Sequence, residues 1–332
     1  MKPLPLGKIP IELLEATVLK MTGASSPGLV TSPKAGLDFS AIKFNHGSLI
    51  VSADPITGVS SEIGCYAIRV SSNDVATSGN RPQFAETVIL LPQGSDAADV
   101  SRLAKQIHGA AKEIGVTIVG GHTEITPGLG KPIVVVTVFS FVEKYVSSQD
   151  AREGDSIMMT KTAGIEGTAA IARELDTPGG FLPLRVAKRA RGFLDRLSVV
   201  DEAVAAFKTG QVNAMHDCTE GGVLGAAYEM SLASGLGFEM KESSVPVAPE
   251  TRIICGRLAL DPLKLIGSGS LLISVRKGSE KTVQAALTQI CEVTTVGHFT
   301  ARERVLLRAD GSESKVSSAP EDELWRALSR RR

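Results

Sequence analysis

Apolar residues recur along this chain with two periods, one fitting strands and one fitting helices. Ile11, Leu14, Val18 and Met21 fall at helical spacing in IPIELLEATVLKMTG, and Gly23 closes that segment. SLIVSADPIT reads as a strand ending in an aspartate and a proline. IGCYAIRVSSNDVATSG predicts a helix closed by Gly79, Arg81 and Pro82. FAETVILLPQG predicts a strand, AADVSRLAKQIHGAAKEIGV a long helix, and TIVGGHTEIT and KPIVVVTVFSFVEK two more strands, the last rich in β-branched residues. The pattern then pauses. The polar run Ser147–Asp155 predicts a linker, and a second unit of similar style follows. It opens with the strand DSIMMTK, a helix from Thr168 and a helical region through Val204. The strand VNAMHD, a helix after Gly222, the strand GSLLISVRK, a helix from Lys281 that includes Cys291, and a closing strand near Val305 complete it. EDELWRALSR predicts a tail helix packed on this unit. The expectation is an α+β protein of two domains, 1–146 and 147–332.

Composition narrows the function classes. Lys+Arg and Asp+Glu balance at 36 each, so nothing in the net charge favours nucleic acid or an anionic membrane. No apolar run approaches the roughly 18 residues that would suggest a membrane span. Cys65, Cys218, Cys255 and Cys291 are widely spaced without a CxxC pair, which argues against a zinc knuckle and fits reduced thiols in the cytoplasm.

Four carboxylates interrupt the apolar pattern. Asp38 precedes an extended segment, Asp54 ends a strand, Asp74 lies inside a helix beside Asn73, and Glu124 follows the glycines of VGGHTE. Each alone fits a turn or a polar face. Together with Gly120 and Gly121, whose amides can approach an anion closely, they predict a polyphosphate site served by a hard divalent ion. No GxxxxGK[ST] or GxGxxG motif is present, so any ATP would bind by another design.

GLDFSAI, VSADPIT, SSNDVATSGNRPQ, VGGHTEI, MTKTAGIEGTA, MHDCTEGGVLGAAYE and LALDPLKLIGSGSLLIS occur in an order that resembles the aminoimidazole ribonucleotide (AIR) synthetase-like superfamily, especially its HypE-like hydrogenase maturation group. The resemblance covers almost the whole chain. It implies a two-domain PurM-like α+β fold, with N-terminal strands forming a β-barrel with those of a second subunit in a homodimer. It also implies ATP and Mg2+ in the cleft between the domains. On the matching positions, Asp38, Asp54, Asp74 and Glu124 would serve the metal and phosphates. Asn73 and Gly120, Gly121, His122 and Thr123 would complete the pocket, and Lys8 would touch phosphate. The implied chemistry is activation of a carbonyl, carboxamide or phosphate acceptor by phosphoryl transfer. The alternative is a nucleotide-binding scaffold, with a maturation-protein partner and no turnover of its own. HypE-like enzymes carry their substrate on a C-terminal cysteine. This sequence ends WRALSRRR, so the resemblance implies related chemistry on another acceptor.

The stretch HDCTEGG, His216–Gly222, allows several readings. One His and one Cys are too few for zinc. His216 could serve as base to a nucleophilic Cys218. As a helix entry, Thr219 would be the cap. The resemblance implies that Asp217, Thr219 and the amides of Gly221 and Gly222 form the acceptor wall, with Glu220 where the group usually has arginine.

Overall fold

The computed structural model describes residues 11–16, 28–31, 34–176 and 180–329. Helix α1 spans Ile11–Ala16. The rest of the first predicted helix, and Lys8, lie outside the described residues. A first sheet holds β1 (Leu29–Thr31), β2 (Ser40–Phe44), β3 (Gly47–Ile56), β4 (Phe84–Pro92), β5 (Thr117–Thr126) and β6 (Ile133–Val142). Their spatial order is β1-β2-β3-β6-β4-β5, and only β4 and β5 pair in parallel. Helices α2 (Ile63–Ala76) and α3 (Ala97–Ile114) pack on one face. Asp96 and Asp99 form a reciprocal cap at the start of α3, which buries only the stripe Leu103, Ile107, Ala110, Ala111 and Ile114.

The opposite face of this sheet is bare. Along β6, Val134, Val136, Val138 and Val142 are buried, while the alternate residues through Phe141 point outward. Phe44, Phe84, Phe139 and Phe141 form an aromatic cluster there, with ring centroids 5.2 Å apart for Phe44–Phe141 and 5.5 Å for Phe84–Phe139. Phe44 is 52% exposed and Phe141 44%.

The second sheet holds β7 (Ser156–Thr160), β8 (Val212–Asp217), β9 (Gly237–Lys241), β10 (Leu271–Val275), β11 (Val293–Thr300), β12 (Arg304–Leu307) and β13 (Glu313–Lys315). Their order is β13-β12-β9-β11-β7-β10-β8. Around them run α4 (Ile165–Glu174), α5 (Leu184–Arg191), α6 (Val200–Lys208), α7 (Gly222–Ser234), α8 (Pro249–Leu258), α9 (Glu280–Leu287) and α10 (Glu323–Ser329). β10 is buried on both faces: Leu271, Ile273 and Val275 join the larger core, and Leu272 joins a smaller one with Val223 and Leu224 of α7. That explains why its sequence reads as a continuous apolar run.

Several expectations change. Helix α4 begins at Ile165 rather than Thr168, because Gly164, at φ 68°, forms its N-terminal boundary. Cys291 lies beyond the end of α9, in the turn before β11. The predicted linker is partly interior. Ser147 and Asp150 cap a short turn, Ser148–Asp150, and Ser148 is buried against the second sheet.

Helix α2 organises the join between the two halves. Thirteen of its residues are buried, including Arg69, Asn73 and Asp74, because the first sheet lies on one side and the second half of the chain on the other. Buried polar groups are costly without partners, and Arg69 and Asn73 find backbone partners across the join. Arg69 donates to the carbonyl of Leu194 (3.0 Å) and pairs with Glu113 (2.7 Å). The Asn73 amide donates to the Leu197 carbonyl (2.8 Å) and accepts from the Val199 N–H (2.9 Å). From the other side Lys161 donates to the carbonyls of Arg196 (3.1 Å) and Ser198 (2.7 Å) while paired with the buried Glu202 (2.5 Å). Asn73→Ala would orphan two buried backbone groups at about 1–3 kcal/mol each. The expected loss is about 2–5 kcal/mol in urea unfolding; a loss below about 1 kcal/mol would show that Asn73 does not hold this join.

Candidate active site

The join also gathers the carboxylates. Ser52 and Asp54 alternate along β3 on the face toward α2, since their sheet partners Val138 and Val136 are buried there. Asp74, one helical position after Asn73, meets them. Ser52 Oγ donates to Asp74 Oδ2 at 2.6 Å, and the Asp54 and Asp74 carboxyls share a hydrogen bond. Burial pushes the Asp74 carboxyl well above the usual carboxylate range, and Asp54, Asp217 and Asp38 push it further. Asp54 and Asp74 come from the first half of the chain and Asp217 from the end of β8 in the second, so the cluster straddles the join.

Asp38 is committed elsewhere. It forms an ion pair with His216 Nδ1, and His216 Nε2 pairs with Glu229 of α7 at 2.9 Å. Ser148 Oγ lies 3.3 Å from both Asp38 and the His216 ring, and 3.1 Å from the Met215 carbonyl. Burial alone would push the His216 ring down. Asp38 and Glu229 outweigh it and raise the ring to about 10. A protonated imidazole with both nitrogens engaged has no lone pair for a proton, so His216 positions Asp38 and cannot act as a base in this state. Cys218 is fully buried, and burial, with Asp217 adjacent, pushes its thiol well above its ordinary value. The geometry therefore gives no support to a thiolate nucleophile.

The entry to α7 differs from the expected cap. The N-terminal boundary residue is Gly221 at φ 81°, not Thr219. The acceptor for its N–H comes from far along the chain: Asp322 Oδ2, at 2.7 Å. Gly222, at φ 62°, has no room for a side chain, because an added Cβ would lie 2.7 Å from the carbonyl oxygens of both Leu263 and Leu265. Trp325 of α10 donates to Glu220 at 3.1 Å, so the tail helix covers this turn.

Gly120, Gly121, His122, Thr123 and Glu124 lie on β5, the exposed edge of the first sheet. Asp54 pairs with Val136, Val136 with Thr87, and Thr87 with Gly121. Three strand spacings, roughly 14 Å, therefore separate Asp54 from Gly121 within one chain. Gly121 is also required by packing, since a Cβ would lie 1.9 Å from the Thr87 carbonyl oxygen. Glu124 is held by Thr126 (2.8 Å) and His122 (3.1 Å). Among the described residues, no three His, Cys, Asp or Glu side chains are grouped to enclose a metal ion by themselves. The Asp54–Asp74 pair nonetheless fits magnesium, which commonly takes one or two carboxylates and leaves its other positions to phosphate oxygens and water.

Sequence reasoning missed Glu166 and Asp322. Glu166 stands in the first turn of α4. Burial pushes it up to about 7, despite Ser268 facing it, and Asp322, Glu220 and Asp54 add to the shift. Burial likewise pushes Asp322 up to about 7, against the hydrogen bonds from Leu324 and Gly221. Glu166 was visible in MTKTAGIEGTA as a carboxylate in an otherwise small and apolar helix start; Asp322 gave no local signal.

Known proteins place the chain in a family. Residues 36–142 match the AIR synthase related protein N-terminal domain, and residues 152–310 match the AIR synthase related protein C-terminal domain. The chain belongs to the AIR synthase-related family. A putative hydrogenase expression/formation protein of Methanocaldococcus jannaschii is 27% identical over 281 residues, 82% of this chain and 81% of that protein. The carbamoyl dehydratase HypE of Cupriavidus necator is 27% identical over 268 residues, 76% and 73% of the two chains. Among solved structures, HypE in a HypE–HypF complex superposes with a TM-score of 0.75 at 20% identity, covering 92% of this chain and 99% of that one. HypE in complex with ATP gives 0.73 at 22% identity, covering 95% and 96%. The fold is therefore the two-domain α+β PurM-like fold. No helix among the described residues is long and apolar enough to cross a membrane.

The raised His216 sets a direction for pH dependence. A group whose folded pKa lies above its unfolded one contributes fully below the unfolded value, about 6.5. That contribution is lost as pH rises toward about 10. Urea midpoints of the native protein are expected to fall between pH 7 and 10, and His216→Gln is expected to flatten that fall. An equal slope in both proteins would remove the ion pair from this role.

Proposed function

We propose that this chain is an ATP- and magnesium-dependent enzyme of the AIR synthase type that works as a homodimer in hydrogenase maturation or related metallocentre assembly. The observation that carries the reading is the Asp54–Asp74 pair, backed by Ser52 and faced by Asp217 across the domain join. The HypE structure in complex with ATP supports nucleotide binding, and the HypE–HypF complex supports a maturation-protein partner.

In the reaction, the bond from the terminal phosphorus of ATP to the bridging oxygen breaks, and ADP leaves. A bond forms from that phosphorus to an acceptor oxygen, which becomes a good leaving group. Asp54 and Asp74 would hold magnesium, which supplies charge neutralisation for the phosphate oxygens. The chain's own contribution is positioning: Ser52 orients Asp74, the α2 clamp fixes Asp74 against the second domain, and His216 fixes Asp38. Asp217 and Thr219 lie on the acceptor side. Such preorganisation is the main protein contribution to phosphoryl transfer.

The bare aromatic face of the first sheet supports the homodimer. Contiguous exposed apolar patches are uncommon on monomers and mark interaction surfaces. A second copy packed there would cover Phe44, Phe84, Phe139 and Phe141. The same bare face also accommodates a second reading, in which the protein binds nucleotide and a maturation partner without turnover.

A nonhydrolysable ATP analogue with magnesium is expected to stabilise the protein by about 2.7 kcal/mol at a hundredfold excess over Kd. Asp54→Asn and Asp74→Asn are each expected to weaken binding at least about tenfold. No thermal shift at millimolar analogue would sink both readings, while binding without ADP release against carbamoyl, formyl and phosphate-ester acceptors would favour the scaffold. Sedimentation should show a dimer for the native chain and a shift to monomer for Phe141→Glu; a monomeric native chain would overturn the interface.

A further inference from the structure

Two neighbouring helices of the second domain expose a face that their own packing does not account for. α5, with the sequence LRVAKRAR, carries Arg185, Lys188, Arg189 and Arg191 and no acid. Ala187 and Ala190 turn inward to the core, and Leu184, Arg185, Lys188 and Arg189 are exposed. α8 packs beside it. There Ile254 and Cys255 are buried, and Arg252, Ile253 and Arg257 are exposed. The two helices form one surface. Arg189 pairs with Glu250 of α8 at 3.4 Å, and Arg257 donates to the carbonyl of Phe181 just before α5. Charge on this surface is unbalanced. Glu250 is the only acid on either helix, and it is buried. Asp176, which reaches Arg191 at 3.3 Å, is buried too and also accepts from the Leu182 N–H at 3.1 Å. Arg185, Lys188, Arg189, Arg252 and Arg257 therefore share a face on which neither helix exposes a carboxylate. The chain as a whole has a formal net charge of +0, so this is a local excess.

Helix stability alone does not explain the arrangement. Cations in a last turn suit the helix dipole, which accounts for Lys188 and Arg189. Arg185 stands in the first turn, where the dipole opposes it. It also stands three and four positions before Lys188 and Arg189, spacings at which like charges destabilise a helix. Leu184 beside it is 83% exposed, and Ile253 on α8 is 36% exposed. Local conflicts of this kind gather at functional surfaces. A partner that brings both negative charge and an apolar side chain would relieve all of them. Nucleic acid supplies the charge but sets Leu184 against phosphates. A membrane would take Leu184, but two apolar side chains on separate helices offer too little area for interfacial insertion. An acidic protein segment supplies both.

We infer that the α5–α8 face docks an acidic segment of a partner protein, with carboxylates on the cations of both helices and an apolar side chain over Leu184. Such docking needs neither ATP use nor the homodimer, since both helices belong to the second domain. The test uses the full chain and a labelled peptide of glutamate and leucine, read by fluorescence anisotropy. The same peptide with glutamine for glutamate, a short DNA duplex and phosphatidylserine vesicles form separate arms, the vesicles read by co-sedimentation. The acidic peptide is expected to bind, less tightly as salt rises, and the glutamine peptide at least about tenfold more weakly. Arg185→Glu combined with Lys188→Glu is expected to weaken the acidic peptide at least about tenfold, and Leu184→Ser several-fold. Arg102→Glu combined with Lys105→Glu, the same charge change on α3, is expected to leave it unaltered. Circular dichroism checks that each variant folds. Absent binding of the acidic peptide, equal binding of the glutamine peptide, an equal loss in the α3 variant, or no loss in both α5 variants would overturn the assignment. So would tighter binding of the duplex or the vesicles that the α5 variants abolish. Peptide docking without nucleotide binding would sink the phosphoryl-transfer reading alone, and nucleotide binding without peptide docking would sink the docking face alone.

Discussion

Everything at the centre of this protein depends on a short stretch of backbone, Leu194–Val199, held from two directions. Arg69 and Asn73 reach it from α2, and Lys161 reaches it from the end of β7. Four carbonyls and one N–H are satisfied by these three side chains. With those bonds made, α2 can be buried on nearly every side despite carrying Arg69, Asn73 and Asp74. With α2 fixed, Asp74 stands at the join and not at a surface. The acidic centre follows from the clamp.

That centre is divided by charge. Asp38 is neutralised through His216, which Glu229 supports from behind. Asp54 and Asp74 have instead a hydroxyl and each other. Nearby Glu166 and Asp322 are protonated more readily than ordinary carboxylates, because burial dominates and their charged neighbours are acidic. One set of acids thus holds the fold together, and the other sets remain short of positive charge.

Much of this was legible in the sequence. The strands and helices bearing Asp54, Asp74 and Asp217 followed from apolar periodicity, and the ordered motifs implied the two-domain fold. The limits have physical causes. Strands β9 and β11 interrupt the alternation with glycine and polar residues, so their pairing is decided by the sheet and not by local pattern. The connector around Ser148 is polar because it meets Asp38 and His216 inside, and polarity alone resembles exposure. The Asn73 amide is occupied by Leu197 and Val199, a long-range pairing that no local window contains. Asp322 at the start of α7 is a partner 101 positions away in the chain. Glycines in VGGHTE looked like an anion cradle, whereas Gly121 is at least equally a packing requirement against β4.

The two family domains suggest two modules, but α2 implies otherwise. During synthesis the first sheet and its helices emerge well before residue 194. Until then Arg69, Asn73 and Asp74 have none of their partners from the second half, and α2 has one uncovered side. The first domain therefore waits, incompletely packed, for the second to be made. What reads as a tandem of two related units is, for its ribosome, a single unit of folding in which α2, made early, is among the last elements to be sealed.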